Sequence, residues 1–249
     1  MRDEPLGSPT KGSHISSDET EGVEEISAML SMIDFSTIHM KVHDKISIDD
    51  CVLPQDSALT RSVHLAGLQD RQSIEQIGRQ FGIHPLLVED ILNPRHRPKL
   101  DAESDQFCLI LREFRLIPSL QMESEQVSIV VGSGFVLSFQ ESNVDLFSDI
   151  KLRLSNPKSR VRRSKSDFLG YLLIDALIDR YLTIMDAFDD RIQTLEDTSE
   201  SWDRMTLNEI YRLRYLMESC RELSALSERP FRDLYEASLK LSLKRLVPT

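Results

Sequence analysis

Proline placement around one short apolar run constrains this chain more than any other feature. In the stretch from Phe81 to Lys99, Pro85 suits the first turn of a helix, where a missing N–H costs nothing, and Asn93-Pro94 cannot continue one. The spacing predicts a short, sharply bounded helix. At about 100° per residue, Leu87, Val88, Ile91 and Leu92 share one side, with Leu86 an apolar intruder in the first turn, and Glu89, Asp90 and Asn93 share the other. Two neighbouring acids therefore face away from the core. Adjacent helix positions diverge by the same angle, so Glu89 and Asp90 do not easily close on one ion, and each would need an oxygen partner from elsewhere. That geometry suggests a cation shared between surfaces.

The run Ile83-His84-Pro85-Leu86-Leu87-Val88-Glu89-Asp90-Ile91-Leu92, followed by Arg97-Pro98-Lys99, resembles the cytoplasmic domain of the CorA family of magnesium and cobalt channels. The resemblance continues through Phe107 to Arg112, the hairpin near Gly132 and Leu173 to Asp179, and covers roughly residues 60 to 249. It implies a regulatory domain of a homopentameric channel on the cytoplasmic side of the inner membrane. Members of the family carry two membrane helices and a Gly-Met-Asn signature, and neither is visible in these 249 residues. The most apolar run, Phe168 to Ile178, is broken by Asp175 and falls short of the roughly 20 residues that a bilayer needs. The expectation is a cytoplasmic piece that reaches the membrane through missing C-terminal helices.

A formal charge of −11 argues against a duplex nucleic-acid partner and favours cations. Cys51, Cys108 and Cys220 are odd in number and far apart, which indicates free thiols rather than a disulfide framework or a cysteine zinc site. No signal peptide is visible at the N-terminus. Residues 1 to 25 are too polar to repay the entropy of ordering and are expected to form a disordered tail.

An α/β domain is expected over 26–157, a mixed sheet with antiparallel pairs covered by helices. Strands are predicted for Met29 to Phe35, Ile38 to Val42, less regularly Ile46 to Val52, and Arg61 to Leu68. Ser73 is read as the cap of a helix carrying Ile74, Ile77 and Phe81. Gln106 to Arg115 is too uniformly apolar at its core for a wet face and is expected to be central. Gln126 to Val131, Gly132-Ser133-Gly134 and Phe135 to Phe139 form a hairpin pattern; a phosphate-loop reading fails because the second run is strand-like. A short helix over Val144 to Leu154 would close the domain.

A long antiparallel helical hairpin is expected over 158–249. In its first helix, capped by Asp167, Tyr171, Ile174, Ile178, Tyr181, Met185, Phe188, Ile192 and Leu195 recur at spacings of three and four. The second starts near Asp203 and repeats Ile210, Leu213, Met217 and Cys220, drifting through Leu223 and Leu226.

On the first of these helices Asp175, Asp179, Asp186 and Asp190 fall within about 60° of one another, with no Lys or Arg among them. Like charges four apart cost roughly 0.2–0.5 kcal/mol per pair, so the stripe is either a solvated face, or neutralised by basic partners elsewhere in the fold, or a cation surface. In the family that this chain resembles, positions matching Glu89, Asp90 and Asp175 help to hold regulatory divalent ions between subunits. The candidate metal residues are Glu89, Asp90, Asp175 and Asp179. A stalk aspartate completes such sites in the family; the preferred register, with Arg229-Pro230-Phe231-Arg232-Asp233 late in the second helix, leaves it missing, and binding is expected to be weak.

His39 and His43 are read as structural or surface residues, and His84 as a helix cap. Lys158, Arg160, Arg162, Arg163 and Lys165 are read as a solvated linker, with acidic lipid head groups or an acidic neighbouring subunit as the alternative. No nucleophile–base motif is present, so no catalysis is expected. The expected function is Mg²⁺ sensing that gates a divalent cation channel, with Co²⁺ or Zn²⁺ as further ions. A related proton-coupled zinc transporter and a stand-alone helical-hairpin adaptor are the alternatives.

Overall fold

A computed structural model describes residues 29–43, 46–102, 105–116, 122–198, 204 and 207–215. Seven strands form one mixed sheet: β1 (Met29–Phe35), β2 (Met40–His43), β3 (Thr60–Ala66), β4 (Lys99–Ala102), β5 (Gln106–Leu116), β6 (Met122–Gly132) and β7 (Phe135–Gln140), in the spatial order β2-β1-β3-β7-β6-β5-β4. β3 and β7 pair in parallel, and every other neighbouring pair is antiparallel. This is the expected α/β architecture, a mixed sheet with antiparallel pairs covered by helices.

Both faces of the sheet are covered, as the continuous apolar run of β5 requires. Phe107, Leu109 and Leu111 point to one core, shared with α3 (Ser148–Ser155), α4 (Arg160–Arg163) and the first half of α5 (Ser166–Thr198). Cys108 and Ile110 point to the other, shared with α1 (Arg71–Gln80) and α2 (Pro85–Ile91). β5 is not central, however. It lies one place from the edge, sheltered by the four-residue β4, which sequence patterning did not announce.

Other differences have local causes. Ile46 to Val52 holds a 3₁₀ turn, Ile48–Asp50, instead of a strand, because Ser47 and Asp50 form a reciprocal capping box there. Asp70 rather than Ser73 caps α1: the Asp70 carboxylate accepts the Ser73 N–H at 3.1 Å, and helix formation starts three residues earlier. β6 begins at Met122, before the expected Gln126, and α3 begins at Ser148. Gly134, at φ 84°, makes the tight turn between β6 and β7.

α5 buries two different faces. Leu172, Leu173, Ile174 and Leu177 lie on the sheet, leaving Tyr171 49% exposed rather than on the expected seam. Beyond that, Tyr181, Ile184, Phe188 and Ile192 form a third cluster with Phe114, Ile210 and Leu213, so the helix over 207–215 packs back on α5. Asp167 lies inside the first turn of α5 rather than before it. The expected continuation through Met217, Cys220, Leu223 and Leu226, and the tail at 1–25, lie outside the described residues.

Candidate functional site

The acidic helix is fixed at both ends. The His84 imidazole accepts the Leu86 N–H at 3.2 Å, and Pro85 takes the first helical position. At the other end the buried Gln126 amide of β6 donates to the Ile91 carbonyl at 2.8 Å, satisfying an acceptor that a helix terminus leaves open. Leu87, Val88 and Ile91 face the core, and Leu86 is 63% exposed.

The turn after α2 then brings a lysine and a histidine back to it. Asn93 N–H bonds the Asp90 carbonyl, His96 N–H bonds the Asn93 carbonyl, and the Asn93 side chain accepts the Arg95 N–H. Pro94 prevents helix continuation, and the reversal places Lys99 Nζ 2.5 Å from Asp90 Oδ2 and His96 Nε2 3.1 Å from Asp90 Oδ1. Burial opposes the charge of Lys99, but the hydrogen bond it donates to Asp90 and the field of that carboxylate win and raise the Lys99 pKa. Asp90 is therefore not the uncompensated carboxylate that helix projection suggests. Its partners, the His96 imidazole and the Lys99 cation, lie six and nine residues on, beyond any helical spacing. Glu89 is exposed, makes no ion pair among the described residues, and borders a groove of about 350 Å³ between α1 and α2 with Arg71 and Arg79.

On α5, Asp175 accepts a hydrogen bond from the Tyr171 hydroxyl at 3.2 Å. The charge of Asp175, the bond to it and the nearby Asp179 push the Tyr171 phenol pKa up. Tyr171 stacks on Phe168 at 6.1 Å, and the Arg160 guanidinium lies 4.6 Å above the Phe168 ring. Asp179 is exposed, and no ion pair reaches Asp175, Asp179, Asp186 or Asp190 among the described residues. The stripe thus has no neutralising partner among the described residues. The nearby Arg180 turns to the buried Glu113, and Arg191 turns to Glu209.

The structure does not bring the two acidic sets together. Glu89 and Asp90 ride on the helix layer of one sheet face, and Asp175 and Asp179 on the layer of the other, so both cores and the sheet lie between them. Among the described residues no three His, Cys, Asp or Glu side chains converge on a common point. An ion could bridge the two sets only between copies of the chain.

The remaining candidates are structural. His43 Nε2 lies 2.8 Å from Asp34, whose carboxylate also holds Arg61 at 2.7 Å. Burial raises the Cys51 thiol to about 11 and Cys108 to about 12, which keeps both protonated and unsuited to metal. Among the described residues no helix is long and apolar enough to cross a membrane.

A family model described as CorA-like Mg²⁺ transporter protein matches residues 63–244. A cobalt/magnesium transport protein CorA of Thermotoga maritima is 34% identical over 203 residues, 80% of this chain and 58% of that protein. The chain therefore spans little more than half the length of that relative. The soluble domain of CorA from Methanocaldococcus jannaschii superposes with a TM-score of 0.54 at 13% identity, covering 83% of this chain and 94% of that one. The ZntB cytoplasmic domain from Vibrio parahaemolyticus does so with 0.50 at 14% identity, covering 87% and 98%. These two likenesses share the fold, and the fold alone does not choose an ion.

Proposed function

This chain belongs to the CorA-like Mg²⁺ transporter family, and from that premise we propose that it senses divalent cations to gate ion transport across a membrane. Ions held between neighbouring copies, by Glu89 and Asp90 of one and Asp175 and Asp179 of the next, would favour a closed ring; their loss would leave carboxylate repulsion that loosens it. The observation that carries this reading is the placement of two acidic sets on opposite faces of one sheet, where neither can complete a site alone. Carboxylate oxygens are hard donors that suit Mg²⁺, which keeps several waters and needs only one or two of them. His96, in contact with Asp90, is a nitrogen donor that would also accept Co²⁺ or Zn²⁺.

Thermal unfolding and light scattering in magnesium chloride and in sodium chloride of equal ionic strength test the proposal. Mg²⁺ should raise the melting temperature and promote association beyond the sodium effect. Glu89→Gln, Asp90→Asn, Asp175→Asn and Asp179→Asn should each reduce that difference. Asp149→Asn, an exposed carboxylate in the first turn of α3, should leave it unchanged. Equal effects of the two salts, or full Mg²⁺ responses in all four site variants, would reduce the stripe to a solvated face.

A further inference from the structure

The basic run after α3 is more than a solvated linker. Its middle folds as α4, and while Lys158, Arg160, Arg163 and Lys165 are exposed, Arg162 is only 4% exposed. Its Nε–H donates to the Ser36 carbonyl at 2.7 Å and its Nη1 to the Leu154 carbonyl at 3.1 Å, tying α4 to the β1–β2 turn and to α3. These carbonyls satisfy hydrogen bonds without neutralising the charge. No carboxylate pairs with Arg162, and Nη2 has no partner among the described residues. A guanidinium buried this deeply is normally paired with an anion.

The space beside it fits that missing half. A cleft of about 580 Å³ opens between the β1–β2 turn, the 53–60 loop, the β6–β7 turn and the α4–α5 junction. Arg162, Arg163 and Lys165 line it, and no carboxylate does among the described residues, in a chain of net charge −11. Arg163 and Lys165 are exposed; Arg163 bonds only the Lys158 carbonyl, and Lys165 has no ion pair there. The 33-residue α5 starts on the same wall at Ser166, adding the positive end of its dipole. Leu53, Pro54 and Leu59 make a different, apolar wall. The Ser133-Gly134 turn borders the cleft too, but as a strand hairpin and not as a phosphate loop.

We propose that this cleft binds a soluble organic phosphate, its phosphoryl group held by Arg162, Arg163 and Lys165 and its carbon body lying against Leu53, Pro54 and Leu59. Guanidinium groups match phosphoryl oxygens in a fork, and three cations suit a phosphate monoester dianion. The volume lies within the roughly 300–1,000 Å³ usual for small-molecule sites and admits a mononucleotide. This proposal is independent of the acidic sets, which lie elsewhere on the chain.

Calorimetric titration of adenosine monophosphate and of inorganic phosphate, at constant ionic strength in chloride, tests it. The nucleotide should bind saturably, one per chain, and more tightly than inorganic phosphate. In the Arg163→Gln/Lys165→Gln double variant its affinity should fall at least about tenfold, since each charge-assisted contact is strong. Both side chains are exposed without ion pairs, so the ligand-free variant should melt as the parent does. Four results would each overturn the proposal: no nucleotide binding beyond a sodium chloride control, undiminished binding in the double variant, phosphate binding as tightly as the nucleotide, or capture by phosphatidic acid vesicles with no response to the nucleotide.

Discussion

Replacing Lys99 by glutamine should strengthen cation binding at Asp90, because the lysine occupies the carboxylate that an arriving ion would use. The pair is 2.5 Å apart, with side chains 29% and 23% exposed. Exposed pairs contribute roughly 0.2–1 kcal/mol, while removing one partner of a buried pair costs roughly 3–5 kcal/mol; a pair about a quarter exposed falls nearer the first, at about 1–1.5 kcal/mol. An ion that displaces Lys99 bears that cost, and Lys99→Gln removes it. The dissociation constant for Mg²⁺ should then fall about five- to twelvefold. Without Mg²⁺ the variant should be less stable by about 1 kcal/mol, since Asp90 keeps only His96 and Asp101 loses a cation 3.4 Å away. The assay is melting temperature against magnesium chloride at fixed ionic strength, with the dissociation constant taken from the curve. A Mg²⁺ midpoint that stays put or moves to higher concentration in Lys99→Gln would refute the reasoning and leave Lys99–Asp90 as a structural tie.

Gly170→Ala should destabilise although alanine favours helix by roughly 1 kcal/mol, because the new Cβ would meet Val131 Cγ2 at 2.4 Å, and overpacking costs roughly 1–3 kcal/mol. Val131 sits on a strand paired on both sides and cannot retreat, so urea unfolding should show Val131→Ala partly rescuing Gly170→Ala; strict additivity would dismiss the clash. Glu113 is 1% exposed, and burial raises its pKa against the opposing field of Arg180, with Glu125 adding to the rise. The folded state then holds a proton that the unfolded state releases above its own pKa of about 4.3, so this group's contribution falls as pH rises through the raised folded value. Glu113→Gln should gain stability relative to the parent as pH rises above the unfolded pKa of about 4.3, and urea midpoints that stay parallel would contradict the assignment. Burial works against the Asp34 charge, but the Arg61 and His43 bonds prevail and lower its pKa, so its contribution is present above the unfolded pKa and lost as pH falls through the folded value. Asp34→Asn, which strands Arg61, should cost about 2–4 kcal/mol at neutral pH, and a loss under 0.5 kcal/mol, roughly a surface substitution's, would argue against the pair.

What the sequence disclosed tracks how local the controlling interaction is. Pro85 and Asn93-Pro94 bound α2 within the chain itself, and the apolar run of β1, the alternation in β3 and the Gly134 turn are equally short-range, so these elements read correctly. The same locality explains the misses. Helix projection sees i to i+4 neighbours and made Asp90 look unpaired, whereas Lys99 returns to it through a turn and a strand. Five charges in Lys158 to Lys165 outweighed Val161 in a count of polarity, yet Val161 and Arg162 are buried because the β1–β2 turn, 126 residues away, offers a carbonyl to that guanidinium. β4 is short and half polar, and pairing with the apolar β5 rather than its own pattern makes it a strand. Assignment of the acidic residues to one site came from the family resemblance; the sheet between them is a fact of topology that no spacing contains.

That topology also sets what the proposed sensing needs energetically. An ion at an interface shifts a conformational balance only by its differential affinity for the two arrangements, and moving from 1:99 to 99:1 takes about 5.5 kcal/mol. A single Mg²⁺ between Glu89, Asp90 and a neighbour's acidic stripe, competing with Lys99, falls short of that. In the proposed pentameric ring the requirement divides to about 1.1 kcal/mol per interface, a difference of about sixfold in affinity at each site. Weak sites then suffice, provided that the ring moves as one, and the cost of displacing Lys99 becomes a way of setting the working concentration. Lys99→Gln in a channel-competent, full-length protein should therefore move half-closure to lower Mg²⁺ without flattening the response. Asp175→Asn, which removes a ligand from every interface, should flatten it. Flux measured against Mg²⁺ on the inner side separates the two, and a parallel shift for both variants would mean that Asp175 only sets the working concentration, as Lys99 does, and drives no part of the switch.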